Sequence, residues 1–248
     1  MSGRLQDKVA IVTGGGGGFG KGIAEKFLAE GAKVIIADFV EDVGKATAAE
    51  LKCEFHRTDV SKKEDWESLK KFVDEKYGKL DCVINNAGTT YRNKPTSEVT
   101  EEDYDKCFAV NVKAIYFSTS VLVPYMQEKK NGGSFVTIAS TAGIRPRPGL
   151  VWYNASKAAV INASKSLAVE YAKDNIRFNT ACPVVGLGTG LTDFFLGKPE
   201  NEAVFMASIP LGRGSTPRDV ANTCAFLCSD EADFLTGIDI PVDGGRCV

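Results

Sequence analysis

Thr13-Gly14-Gly15-Gly16-Gly17-Gly18-Phe19-Gly20 follows directly on Val9-Ala10-Ile11-Val12 and precedes Ile23, Ala24, Phe27 and Leu28 at helical spacing. The β-branched run predicts a buried strand and the later periodicity a helix, so the glycines fall on a strand-to-helix turn. There the first helical N–H groups point outward with the positive end of the dipole. Missing Cβ atoms let an anion approach the backbone closely. The turn is therefore read as a phosphate site. Five successive glycines are also low in complexity and, taken alone, fit a flexible linker.

The rest of the chain decides between the two. Strands are predicted at 8–13, 33–38, 53–58, 81–85, 133–140, 176–182 and 238–242, with helical patterns at about 18–30, 41–51, 61–77, 100–128, 152–173 and 217–229. Apolar strands alternating with helices predict an α/β fold, a doubly wound parallel sheet of about seven strands covered by helices on both faces. No linker or internal repeat divides residues 1–248, so one domain is expected. Thr100 followed by acidic residues predicts a helix start, and Ser61 with Glu64 predicts a capping box. The segment 108–123 is apolar on more than one face, which suits a helix covered by the sheet and by a partner subunit, or one buried wholly in its own chain. The Gly/Pro-rich stretch 184–214, with Phe194-Phe195-Leu196 inside it, departs from the alternation and is read as a substrate-side loop or lid.

Composition excludes several classes. The 248 residues are 44% hydrophobic and 25% charged with a net charge of −2, an ordinary soluble globule without the electrostatic footprint of a nucleic-acid or anionic-membrane binder. The N-terminal residues have no apolar signal core and no apolar run approaches spanning length, so a cytoplasmic location is expected. Seven cysteines without paired spacing suggest buried free thiols, and His56 is the only histidine, so no metal site is expected.

In an open parallel sheet, ligands bind beyond the carboxyl ends of the strands. Asp38 ends the second strand eighteen residues past Gly20. A carboxylate there accepts a ribose diol and repels a 2′-phosphate, which favours NAD over NADP; neither Gly17 nor Phe39 brings a cation to that corner. Asp59, after the third strand, is placed to meet an adenine amino group. Asn86-Ala87-Gly88, after the fourth, suits packing against a dinucleotide backbone. Tyr153 and Lys157 lie at i and i+4 on one helix face, where an ammonium favours a phenolate. A phenol of pKa ~10 needs roughly 4 kcal/mol from its surroundings to act as a base near neutrality.

Taken in order, Thr13-Gly14-xxx-Gly18-Phe19-Gly20, Asp59, Asn86-Ala87-Gly88, Asn111, Ser140, Tyr153-xxx-Lys157 and Val242-Asp243-Gly244-Gly245 resemble the short-chain dehydrogenase/reductase family. The resemblance implies a Rossmann-type fold and reversible NAD(P)-dependent oxidation of an alcohol. It implies Tyr153 as acid/base, Lys157 as the group that lowers its pKa and holds the nicotinamide ribose, Ser140 on the substrate oxygen, and Asn111 holding a water that links Lys157 to solvent. Cofactor contacts are implied for Gly14, Gly18, Phe19, Gly20, Asp38, Asp59, Val60, Asn86, Ala87, Gly88, Tyr153 and Lys157, and after the sixth strand for Pro183, Val185, Gly186 and Thr189. In this last stretch the family's Pro-Gly is missing and the threonine comes one position late.

Residues 86–95 and 139–150 resemble family members acting on aromatic alcohols and aldehydes, of the formylbenzenesulfonate type. On that footing Arg92, Arg145 and Arg147, with Lys94 nearby, are candidates to hold an anionic group of a small aromatic substrate; solvated loop charges are the plainer alternative. A homotetramer or homodimer is also implied. Two other functions compete: an NADPH-dependent biosynthetic ketoreductase, for example on a 3-oxoacyl thioester, and a non-catalytic dinucleotide-binding regulator. The complete set Asn111, Ser140, Tyr153 and Lys157 argues against the regulator, and Asp38 against the ketoreductase.

Overall fold

Along the first strand, Val9 and Ile11 face one apolar core while Ala10 and Val12 face another, and all four are buried. A strand buried on both faces must lie inside a covered sheet, which accounts for its unbroken apolar run. The computed structural model describes residues 3–186, 189–190, 192–196 and 201–248. Among these, seven parallel strands stand in the order β3-β2-β1-β4-β5-β6-β7. They are β1 Val9–Thr13, β2 Lys33–Asp38, β3 Glu54–Arg57, β4 Cys82–Asn85, β5 Gly133–Ile138, β6 Ile176–Pro183 and β7 Asp239–Val242. The order reverses beside β1, whose neighbours are β2 and β4, so the carboxyl ends of β1 and β4 diverge into a crevice there.

The helices are α1 Gly18–Ala29, α2 Glu41–Leu51, α3 Lys63–Tyr77, α4 Glu101–Phe108, α5 Ala114–Lys129, α6 Val151–Tyr171, α7 Thr192–Leu196, α8 Asn201–Ala207 and α9 Pro217–Cys228. One core takes Ile23 and Phe27 of α1, Ala48 of α2 and Val220, Cys224 and Leu227 of α9. The other takes Trp66, Leu69 and Val73 of α3, Phe117, Leu122 and Tyr125 of α5 and Ala168 of α6. Each such fully buried large side chain contributes roughly 1.5–3 kcal/mol.

Local details depart from expectation in four places. Ser61 does not cap α3: the helix starts at Lys63, and the Ser61 hydroxyl donates instead to Asp59 Oδ1 at 2.7 Å. The expected helix 100–128 opens with the Thr100–Asp103 capping box, but a π turn at Ala109–Lys113 interrupts it. The whole run Glu101–Lys129 is long and apolar enough to cross a membrane, yet its α5 part packs as core, with Leu122 and Met126 fully buried. Its all-round apolar character is thus largely satisfied within the chain, leaving Tyr116 exposed. Finally, β5 ends at Ile138, two residues before Ser140.

His56 is structural. Its ring nitrogens meet Thr58 Oγ1 at 2.9 Å and Ser68 Oγ at 3.1 Å, and burial pushes its pKa down. All seven cysteines are free, and no cluster able to hold a metal occurs among the described residues.

Candidate active site

The glycine turn closes tightly and leaves the start of α1 bare. Gly14 has φ +61°, and a Cβ at Gly20 would stand 2.1 Å from the Gly14 carbonyl oxygen, so the turn closes only without side chains. Gly17 caps α1 with no side-chain bond, and no acidic residue occupies the first turn, leaving the N–H groups and dipole uncompensated. The turn is fixed to β4: the Thr13 hydroxyl accepts from the N–H of Asn86 (2.9 Å) and Ala87 (3.0 Å) and donates to the Ile84 carbonyl (3.2 Å). Asn86 Nδ2 donates back to the carbonyls of Thr13 and Gly14 at 2.8 and 3.1 Å.

Asp38 holds the neighbouring corner. Its Oδ2 accepts from the Gly16 N–H and its Oδ1 from the Val40 N–H, both at 2.9 Å. Parallel pairing sets Arg57 opposite Asp38, and the Arg57 guanidinium lies over the Phe39 ring at 5.1 Å while reaching Asp65 at 3.4 Å. A cation therefore stands at the corner where the sequence suggested none. Asp59 is turned into its own loop, accepting from the Ser61 N–H and hydroxyl. Val60 is buried and its carbonyl accepts the Trp66 indole N–H. Neither Asp59 nor Val60 lines the cleft.

From the glycine turn a cleft of about 330 Å³ runs past the ends of β4, β5 and β6. Gly14, Gly18, Phe19, Asn86, Ala87, Gly88, Ser140, Tyr153, Lys157, Pro183, Val185, Gly186 and Thr189 all line it. The i, i+4 spacing on α6 brings Tyr153 and Lys157 to one face, with the ammonium 5.9 Å from the ring centre. Lys157 Nζ donates to the Ile138 carbonyl at 2.9 Å, and burial pushes its pKa down to about 8. Burial pushes the Tyr153 phenol up to about 12, while the neighbouring Ser140 hydroxyl and then the Arg147 charge act the other way. Ser140 sits at the head of a 3-10 turn, its Oγ accepting from the Ala142 N–H at 3.1 Å.

Asn111, on the π turn, does not line the cleft. Its Nδ2 donates to the Thr89 carbonyl (2.9 Å) and Ser156 Oγ (3.0 Å), and its Oδ1 accepts from the Thr89 N–H (2.9 Å). The side chain thus ties the loop after β4 to α6. Gly88 lies between it and Lys157: a Cβ there would stand 3.4 Å from both Asn111 Oδ1 and Lys157 Nζ.

The stretch after β6, where the family's Pro-Gly is missing, packs against the glycine turn. A Cβ at Gly186 would stand 2.4 Å from the Phe19 ring, so that ring fills the space beside the bare backbone. The Gly186 carbonyl accepts the hydroxyls of Thr189 (3.0 Å) and Thr192 (2.7 Å). Residues 187–188, 191 and 197–200 of the expected 184–214 loop lie outside the described residues, as does the side chain of Leu196.

At the outer end, Arg145 and Arg147 line the cleft as expected, but Arg92 does not. The preceding Tyr91 is buried, its hydroxyl accepting the Trp152 N–H at 3.0 Å, and Arg92 is left exposed. Lys94 pairs with Asp103 at 2.6 Å. Phe195, Phe205 and Arg246 complete this wall. Of these, sequence reasoning missed Phe205 and Arg246.

Fold and cleft together define a nucleotide-binding oxidoreductase. The family model described as enoyl-(acyl carrier protein) reductase matches residues 15–246. The chain belongs to the short-chain dehydrogenase/reductase family, whose members bind a nicotinamide dinucleotide. It is 43% identical over 249 residues to the 4-formylbenzenesulfonate dehydrogenase of Comamonas testosteroni, covering 98% of each chain. It is 38% identical to the NADP-dependent (R)-specific alcohol dehydrogenase of Lentilactobacillus kefiri, over 99% of this chain and 98% of that one. The crystal structure of the 3-ketoacyl-(acyl-carrier-protein) reductase of Brucella melitensis complexed with NADH superposes with a TM-score of 0.94 at 37% identity, covering 98% and 100% of the two chains.

Proposed function

We propose that this protein interconverts an alcohol and its ketone or aldehyde, using NAD in preference to NADP. The observation that carries the reading is the meeting of the Tyr153 phenol, Ser140 hydroxyl and Lys157 ammonium in a cleft whose other end is the glycine turn. The glycine cradle, the uncompensated α1 N-terminus and the Asp38 carboxylate fit a dinucleotide; Gly14, Gly18 and Phe19, which line the cleft, would hold its pyrophosphate, with Gly20 closing the turn behind them. A nicotinamide dinucleotide held by these residues would supply the hydride acceptor in oxidation and the hydride donor in reduction.

The chain's own residues handle the proton. Ser140 donates to the substrate oxygen, and Tyr153 takes the hydroxyl proton in oxidation and returns it in reduction. With its pKa near 12 the resting phenol keeps its proton. Turnover therefore needs positive charge close by, and Lys157, still largely an ammonium at neutral pH, supplies it. The bond from Lys157 Nζ to the Ile138 carbonyl, at 2.9 Å, fixes where that charge sits. Asn111 positions α6 against the loop after β4.

Asp38 supports NAD, since it would repel a 2′-phosphate; Arg57, within reach of the same corner, supports the competing NADPH-dependent ketoreductase. The segment 184–214 acts as the substrate-side lid, with Phe195 and Phe205 on its inner face. The family resemblance supports a homodimer or homotetramer, and the exposed Tyr116 on the apolar helix α5 leaves a side chain that a partner would cover; light scattering measures the state. Seven free thiols support a cytoplasmic location.

Tyr153→Phe tests the mechanism. The variant should lose at least about a thousandfold in kcat for NAD reduction, within the range of acid–base catalysis, while binding NADH within threefold of wild type. Retained turnover would end the assignment of Tyr153 as the base.

A further inference from the structure

The outer wall of the cleft holds two cations on one aromatic ring. The Arg147 guanidinium carbon lies 4.7 Å from the centre of the Phe205 ring and 5.4 Å from that of Phe195, and the Arg246 guanidinium carbon lies 4.8 Å from Phe205. Among the described residues no carboxylate forms an ion pair with either. Both side chains line the same cleft as Tyr153, and Phe195 packs against the Tyr153 ring at 5.1 Å as well as against Arg147. Arg246 is also pinned. Arg246 Nε donates to Ser208 Oγ at 3.2 Å, and the Arg246 carbonyl accepts from Arg145 Nη1.

Two guanidiniums on one ring without a counter-charge repel each other, and burial with the Arg246 charge lowers the pKa of Arg147. An anion at this wall of the cleft would relieve the repulsion, accepting charge-assisted hydrogen bonds from both. We infer that Arg147 and Arg246 clamp a carboxylate or sulfonate of the substrate at the end of the cleft away from the glycine turn. Phe195 and Phe205 flank the flat body that joins this anion to the reacting carbon. Arg145 then serves as a positioning residue that holds the Arg246 backbone. The substrate class is a small alcohol or aldehyde bearing one acidic group, and the inference rests on the dehydrogenase reading.

The test compares kcat/KM with NAD for 4-(hydroxymethyl)benzoate, 4-(hydroxymethyl)benzenesulfonate and methyl 4-(hydroxymethyl)benzoate. Wild type should favour the anions, and the anion-to-ester ratio should fall about 10- to 100-fold in Arg147→Gln and in Arg246→Gln. Arg147→Lys, which keeps charge but loses the planar fork, should fall between. If Arg147→Gln does not fold, Arg246→Gln alone decides. The two acids separate a carboxylate-selective clamp from a sulfonate-selective one.

Calorimetry with terephthalate and 4-sulfobenzoate in the presence of NADH gives a readout independent of turnover. Binding that weakens in both variants while no alcohol is oxidised would uphold the clamp and reject the dehydrogenase reading. Oxidation of the ester, with an anion-to-ester ratio unchanged within twofold in both variants, would reject the clamp and leave the dehydrogenase standing.

Discussion

Replacing Lys157 by Met should make the cofactor-free protein more stable at neutral pH and remove the gain at high pH. Burial drops the Lys157 pKa from 10.5 to about 8. At pH 7 the folded state therefore carries an ammonium that costs about 3 kcal/mol relative to the unfolded chain, at 1.36 kcal/mol per unit. Between pH 8 and 10.5 the unfolded state binds the extra proton, so stability from this group rises with pH and then levels off. Lys157→Met lacks that rise. Its loss of the bond to the Ile138 carbonyl, 2.9 Å in the wild type, adds a cost of about 1–3 kcal/mol that does not depend on pH. The quantity to measure is thus the difference between variant and wild type in urea unfolding at pH 7 and pH 10.5. It should shrink by about 3 kcal/mol toward high pH, or about 6–12 °C if followed as Tm. Parallel curves would refute the buried-ammonium account. The same variant should be at least about a hundredfold slower in alcohol oxidation, the lower end of what acid–base catalysis supplies.

Gly20→Ala should lower stability by about 1–3 kcal/mol by overpacking, because its methyl would stand 2.1 Å from the Gly14 carbonyl oxygen. It should also weaken NADH binding at least tenfold by fluorescence titration, and an unaltered dissociation constant would show that the turn tolerates opening. A Cβ added at Gly17 would meet no heavy atom within 4 Å, so an arginine there can leave the backbone without a clash. Combined with Asp38→Ala, Gly17→Arg should raise the NADP-to-NAD ratio of kcat/KM about 10- to 100-fold. An unchanged ratio would mean that cofactor choice is made elsewhere, with Arg57 the first place to look.

How much of this was legible in the chain depended on the range of the interaction. The glycine turn, the Tyr153–Lys157 pair and the Thr100 cap are local patterns, and local geometry dictates them. The seven-strand parallel order followed from apolar runs alternating with helical periodicity. Ser61 was misread because Asp59, two residues away, offers its hydroxyl a nearer acceptor than the helix does. The π turn at Asn111 leaves the apolar periodicity of 100–128 nearly intact and so carries no sequence signal. Gly15 and Gly16 fall at unspecified positions of the Thr13-Gly14-xxx-Gly18 pattern, but Cβ atoms there would press on Ile36 and Asp38 of the next strand. Arg57, Phe205 and Arg246 reach their places only through strand register or chain return from a distance, which spacing does not express. Arg92 shows the converse: its loop was identified, but burial of Tyr91 decided which way the next side chain faces.

The Thr13 hydroxyl joins the ends of two strands more than seventy residues apart in sequence, bonding three backbone groups at the end of β4 at once. α7 and the tail around Arg246 are tied instead to loops: the Phe194 carbonyl accepts the Asn93 N–H at 3.0 Å and the Gly244 carbonyl accepts the Leu211 N–H at 3.1 Å. The two ends of the cleft therefore differ in how freely they tolerate sequence drift. Changes at the nucleotide end disturb a stitched framework and should be purged, whereas the substrate end can exchange side chains, and with them its chemical taste, while the framework stays in register.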